Sequence, residues 1–356
     1  MSDVTRVHGG VSTPELQQLG LARDALLDLS VNVSPAGPHP AVVQAVRAAS
    51  LSEYPQPWAA EARAALAASC GVESAHVVVG HGSTELIWSA VALLRAADGP
   101  LLVAGPTFSE PALAAHAHGV PVVELRARAE TGFSQDLEQL ARAIEQHHAA
   151  GVYLCQPNNP DGQVLPASLV RELCSAYPDR LFLLDQAFLA LSTRHADAAL
   201  HFPAHVLVVR SLTKEHALPG LRVGYALGDP ALLARLNALR PSWMVSNLAE
   251  AAIIAACQHP EHVAAVRDRW LEERVLLAEG CRALGLHVLP SETPYFLARV
   301  PLTDGADGLR ARLLARHGIA VRSCSSFGLP DYIRLAGCGP VQRARVLAAL
   351  AQELAG

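Results

Sequence analysis

Short apolar runs bounded by turn residues recur along this chain and alternate with amphipathic stretches. A largely parallel sheet covered by helices on both faces accommodates that pattern, because parallel neighbours need long crossovers. The runs predict seven strands, at 76–79, 101–104, 122–125, 151–155, 181–185, 206–210 and 222–226. Helical periodicity lies between them at 83–95, 111–117, 137–148 and 166–176. Together these make a large α/β domain over 40–255. A long helical pattern at 260–284 follows, then strand 295–300, helix 308–317, strands 319–323 and 332–335, and helix 340–354. This tail reads as a smaller α+β domain at 256–356, completed by the weakly periodic residues 1–39.

Charge narrows the function classes. Lys+Arg 28 against Asp+Glu 33 leaves a net charge of −5 with no basic run, which argues against a nucleic-acid surface. No apolar stretch approaches the ~20 residues of a membrane span. The N-terminus lacks the apolar core of a signal peptide, so a cytoplasmic protein that binds neither nucleic acid nor membrane is expected. The seven cysteines (70, 155, 174, 257, 281, 324, 338) include no C-x-x-C pair, so neither a disulfide framework nor a metal is expected. His147-His148 and His116-Ala117-His118 lack the i,i+3 or i,i+4 spacing that puts two rings on one helix face.

One count separates this chain from a generic α/β protein: of 28 basic residues, only Lys214 is a lysine. Arginine replaces lysine where charge alone is wanted, but a guanidinium cannot serve as a deprotonatable amine. The lysine stands in Arg210-Ser211-Leu212-Thr213-Lys214, with Arg222 eight residues on. Ser211 and Thr213 offer hydroxyls, and Arg222 a planar fork for phosphate oxygens. An amine beside phosphate ligands is what pyridoxal 5'-phosphate requires. Asp185 ends the apolar run Leu183-Leu184-Asp185, where a carboxylate can hold a pyridinium nitrogen protonated. Asn159, in Pro157-Asn158-Asn159-Pro160-Asp161-Gly162, is a candidate donor to the cofactor's ring oxygen. In Gly80-His81-Gly82-Ser83-Thr84-Glu85 the amides of Gly82, Ser83 and Thr84 would present a helix N-terminus to a phosphate. Glu85 occupies the third glycine position of a dinucleotide fingerprint, which weakens a Rossmann dehydrogenase reading.

These segments, in this order, resemble the class I/II aminotransferase group of fold-type I pyridoxal-phosphate enzymes over nearly the whole chain. The resemblance is nearest to the threonine-phosphate decarboxylase family of cobalamin biosynthesis, which is related to the histidinol-phosphate aminotransferase family. It rests on His8-Gly9-Gly10, Leu29-Ser30-Val31-Asn32-Val33-Ser34-Pro35, the run Arg210 to Tyr225, and Val321-Arg322-Ser323-Cys324. It implies that Lys214 is the Schiff-base lysine, Asp185 the pyridinium partner, and Phe108 a ring-stacking residue. Gly82, Ser83, Thr84, Ser211 and Arg222 would hold the cofactor phosphate, and Asn159 the ring oxygen. Tyr54 would reach the partner subunit's cofactor phosphate, implying a homodimer. His8, Asn32, Arg322 and Arg334 would bind the two anions of a phosphorylated amino acid substrate.

Phe188 stands where aminotransferases of the group usually carry a tyrosine, as the decarboxylase does. The resemblance therefore implies decarboxylation of O-phospho-L-threonine to (R)-1-amino-2-propanol O-2-phosphate first. Transamination of the histidinol-phosphate type comes second, and a non-catalytic ligand sensor on the same fold third. Gln186, Asp161, His81 and Glu215-His216 depart from the group's usual residues, and His81 and His216 are candidates to line the pocket.

Overall fold

The computed structural model describes residues 9–197 and 203–355. A two-residue strand, β1 (Leu27–Asp28), comes first, followed by the seven strands that the apolar runs predict. These are β2 (Val77–His81), β3 (Leu101–Gly105), β4 (Val122–Arg126), β5 (Gly151–Cys155), β6 (Leu181–Asp185), β7 (Val206–Arg210) and β8 (Val223–Gly228). They form one sheet in the order β2-β8-β7-β6-β5-β3-β4. Only β8 runs against its neighbours, pairing antiparallel with both β2 and β7.

Alternate residues of the strands face opposite sides. Leu102, Val152, Phe182 and Val208 join one core, while Val103, Tyr153, Leu183 and Leu207 join another across the sheet. Helices cover both faces, which is why the strands read as continuous apolar runs. Polar residues are pushed to the strand ends, and there the candidate site lies.

The helices Pro40–Ala48, Ala60–Cys70 and Asn247–Cys257 are not legible as periodic segments. They are rich in alanine and contribute Val42, Leu66, Ala252 and Ile253 to the first core. The first two keep an exposed side, with Gln44 and Arg47 on one and Glu61 and Ala64 on the other, and in Ala60–Cys70 alanine falls on buried and exposed sides alike and blurs the apolar stripe.

The C-terminal part holds a second sheet of β9 (His287–Val288), β10 (Tyr295–Arg299), β12 (Arg322–Ser323) and β13 (Tyr332–Ala336), in the order β12-β13-β10-β9. The single strand expected at 319–323 is broken at Val321. Its first half, β11 (Ile319–Ala320), pairs in parallel with β1, and its second half pairs with β13. Val321 is fully buried, so the chain turns inward at the break. Leu29 packs in the same core as Ile319, Val321 and Ile333.

The turn from β2 into the helix Gly82–Ala92 is held by a buried ion pair. Arg240 Nε donates to Glu85 Oε1 at 2.6 Å, and its Nη2 to Glu85 Oε2 and to the Val79 carbonyl, both at 2.8 Å. Glu85 also accepts from the His81 amide and from Ser89 Oγ. The acid in the third glycine position is thus the anchor of this turn. Removing one member of such a pair strands the other charge, at a cost of about 3–5 kcal/mol. Arg240→Leu is therefore expected to lower unfolding free energy by roughly that amount in urea titrations. A loss below about 1 kcal/mol would mean that the pair is no more than a surface bridge.

Candidate active site

A cavity of about 430 Å³ opens where the carboxyl ends of β5, β6 and β7 meet the second sheet and the N-terminal segment. Its wall includes Asn32, Ser83, Thr84, Phe108, Asn159, Asp185, Ser211, Lys214, Arg222, Arg322 and Arg334. Those residues lie up to about three hundred positions apart in sequence, yet they line one hollow.

Lys214 belongs to a single helical turn, Leu212–Glu215, at the end of β7, and its side chain is half-buried in the cavity. Burial, and then Arg334 and Arg222, lower its pKa from 10.5 to about 8, against a smaller pull from Asp185. Asp185 ends β6 and is buried. Its carboxylate accepts from Tyr153 Oη at 2.8 Å and from the Ala187 amide at 3.0 Å. Burial raises its pKa, while those two donors and Lys214 pull it back. Tyr153 is a site residue that motif reading missed. Its signal was a hydroxyl inside an aliphatic strand, which must find a buried partner.

At the other end, Gly82 begins its helix at φ +79, and a Cβ there would lie 2.9 Å from Arg222 Nη2. A Cβ on Gly224 would lie 2.5 Å from the Ser83 amide nitrogen. Glycine at both positions lets β8 and Arg222 approach the helix N-terminus closely. Arg222 itself takes φ +54, a region that costs about 1–3 kcal/mol for a residue with a Cβ. Such strain is typical of functional positions. Thr213 Oγ1 donates to the Val223 carbonyl and fixes the lysine turn onto β8.

Arg322 and Arg334 are directly opposite on the antiparallel pair β12–β13, so both project from one face. Burial and then Arg334 lower the Arg322 pKa to about 10, and burial also lowers that of Arg334. Two like charges facing each other destabilise a sheet unless an anion lies between them. Arg322 Nη2 donates to Ser326 Oγ and stacks over Phe327, a second pair of lining residues not foreseen. Arg334 Nη2 donates to the Ser30 carbonyl at 2.7 Å, and Nη1 to Asn159 Oδ1. That contact engages the amide oxygen of Asn159 and leaves its NH₂ to donate elsewhere. Asn32 is buried with neither amide atom partnered.

Phe188 lines the cavity with its ring 5.7 Å from Lys214 Nζ and edge-on to Tyr295. No hydroxyl is available at that position. Several expected residues are not brought in. His8 lies outside the described residues, although the adjoining Gly9 lines the cavity. Tyr54 is 82% exposed and stacks on Trp243 at 5.0 Å, away from its own chain's cavity. His81 and His216 do not line the pocket: His81 is exposed, and His216 is buried behind the lysine turn. Asp161 and Gln186 prove to be scaffolding. Asp161 accepts from Asn158 Nδ2 and the Gln163 amide, and Gln186 from Arg210 Nε.

The model of the class I and II aminotransferase family matches residues 24–350. Histidinol-phosphate aminotransferase 2 of Ralstonia nicotianae is 33% identical over 349 residues, 95% of this chain and 91% of that protein. The histidinol-phosphate aminotransferase of Gluconacetobacter diazotrophicus is 33% identical over 332 residues, 90% of this chain and 89% of that one. Among solved structures, L-threonine-O-3-phosphate decarboxylase from Porphyromonas gingivalis superposes with a TM-score of 0.81 at 26% identity, covering 93% of this chain and 100% of that one. Histidinol-phosphate aminotransferase from Sinorhizobium meliloti, in complex with pyridoxal-5'-phosphate, superposes with a TM-score of 0.87 at 24% identity, covering 100% and 97%. This chain belongs to the class I and II aminotransferase family and has the fold-type I architecture.

Pyridoxal 5'-phosphate is the cofactor of that family, and the cavity fits it on three observations. It presents a lone amine of lowered pKa, a buried carboxylate at one end, and a strained arginine over a helix N-terminus at the other.

In the cofactor-free protein, the Lys214 amine is expected to react with amine-directed reagents such as trinitrobenzenesulfonate with an inflection near pH 8. Because it is the only lysine, peptide mapping separates its reaction from that of the α-amine. An inflection near 10.5 would contradict the environment described.

Proposed function

We propose that this chain is a pyridoxal-phosphate-dependent aminotransferase whose amine substrate carries a phosphate, of the histidinol-phosphate type. The cross-strand Arg322–Arg334 pair beside the sole lysine carries this reading. A transaminase takes two substrates in turn at one site. A phosphate-bearing amine and a dicarboxylate oxo acid are both matched by two adjacent guanidiniums. Relatives that share a third of their residues with the chain bear that name and reverse the order implied by the motif resemblance.

The bound cofactor supplies an electron sink and an aldehyde that accepts an amine. Lys214 Nζ is the amine that would hold the aldehyde at rest and, once free, would take the proton from the substrate Cα and pass it on. A pKa near 8 suits both directions of that transfer. Asp185 would keep the pyridine nitrogen protonated, and Asn159 Nδ2 would donate to the ring oxygen. The amides of Gly82, Ser83 and Thr84, with Ser211 and Arg222, would hold the cofactor phosphate, and Phe108 would cover the ring. Asn32, Arg322 and Arg334 hold the substrate's anionic groups, and Arg334 also orients Asn159.

A second reading is decarboxylation of a phosphorylated amino acid. Phe188 favours it, because no hydroxyl reaches towards the lysine, and so does the likeness to the decarboxylase structure. There the carboxylate leaves as CO₂ and Lys214 protonates Cα. The reaction chosen would depend on how the two arginines orient the bonds at the substrate Cα.

The active unit in this reading is a homodimer. Tyr54 and Trp243 are exposed and stacked on one another, and Leu51, three residues before Tyr54, is exposed as well. Tyr54 can contribute to a site only across such an interface.

Histidinol phosphate with 2-oxoglutarate is expected to give glutamate without CO₂. Arg334→Ala should lower kcat/KM by roughly 10–100-fold for each charge-assisted hydrogen bond it removes, about 1.5–3 kcal/mol. CO₂ from O-phosphothreonine with no oxo-acid acceptor would move the assignment to the decarboxylase.

Sedimentation should show a dimer that Trp243→Glu dissociates with loss of activity. Full activity in a monomer would remove Tyr54 from the site.

A further inference from the structure

We propose that His39, His259 and Glu261 form a binding site for a divalent transition metal of the zinc type, outside the cavity and independent of the reaction assigned to it. One ring nitrogen of each histidine and one carboxylate oxygen of Glu261 all lie within 4.8 Å of one another. The donors come from two distant segments. His39 caps the helix Pro40–Ala48, while His259 and Glu261 stand at the start of the helix Pro260–Ala283.

The rings of His39 and His259 stack at 4.0 Å, and His262 meets His39 edge-on at 5.4 Å. His259 Nδ1 and Glu261 Oε1 are 3.1 Å apart. Two ligands of a tetrahedral zinc at about 2.0–2.1 Å are separated by roughly 3.3 Å, so this pair already has the spacing of two ligands on one ion. The proton between them stands where the dication would, and binding releases it. His39 Nδ1 accepts only a 3.2 Å bond from the Ala41 amide, a weak claim on its lone pair. His262 Nε2 donates to the Gly37 carbonyl, which holds its ring edge-on beside His39.

Behind this layer, His216 is 5% exposed, its Nδ1 has no partner, and its ring faces that of His262 at 6.5 Å. An ion held by His39, His259 and Glu261 would tie the segment leading from Asn32 to the start of the long helix. Imidazole and carboxylate donors select zinc, nickel or cobalt over magnesium or calcium.

The test is titration of the chelator-treated holoenzyme with Co²⁺, followed by its d–d absorption, with Zn²⁺ as competitor. One ion per chain is expected. Glu261→Gln and His259→Ala should weaken binding at least roughly tenfold, the loss that even an outer-shell partner causes. His147→Ala, an exposed histidine elsewhere, should leave it unchanged. Glu261 is an exposed side chain, so its variant keeps the test valid if His259→Ala fails to fold. Zn²⁺ should also raise the melting midpoint of the parent and not of Glu261→Gln. Absence of saturable binding, or equal affinity in parent and Glu261→Gln, would overturn the proposal.

Discussion

The site depends on one close approach, that of β8 to the first turn of the helix Gly82–Ala92. Gly224 lies flush against the Ser83 amide, and Gly82 lies over the Arg222 guanidinium. No side chain fits between them. The contact turns a helix N-terminus and an arginine into one anion-binding surface. The Arg240–Glu85 pair fixes the turn from outside, and the antiparallel direction of β8 brings Arg222 to the same end of the sheet as Asp185 and Lys214. The strained backbone of Arg222 persists because these neighbours over-determine it.

Electrostatics then divides the cavity. Lys214, Arg222, Arg322 and Arg334 surround it, and Asp185 is the acid whose pull on the lysine opposes them. Burial and the neighbouring guanidiniums depress the lysine, and the same burial lifts the aspartate. A preorganised excess of positive charge makes the hollow a receptor for anions before any substrate arrives.

Residues that depart from the family pattern settle into the scaffold. Asp161 ties its own loop together and, with burial, reaches a pKa of about 7. Glu215 is buried beside Arg210 and is likewise lifted to about 7, with Arg210 pulling it down. His216 joins the imidazole cluster behind the lysine turn.

The seven strands of the main sheet, their crossover helices, and Lys214, Asp185, Asn159 and Arg222 were legible because each depends on local pattern: an apolar run, a turn residue after it, and a single irreplaceable amine. The alanine-rich helices were not, since alanine is accepted on buried and exposed sides alike and sets no clear period. The partners of the site residues were equally hidden. Tyr153 under Asp185, Arg240 on Glu85 and Arg322 opposite Arg334 join positions far apart in sequence, through strand order and register that no spacing encodes. The same holds for the histidines, where adjacent pairs in sequence stay on the surface and the four that converge come from three separate segments. Sequence alone determined which chemical groups the chain owns and which elements carry them. Tertiary structure decided which groups meet, because contact across a sheet is set by register and burial rather than by distance along the chain.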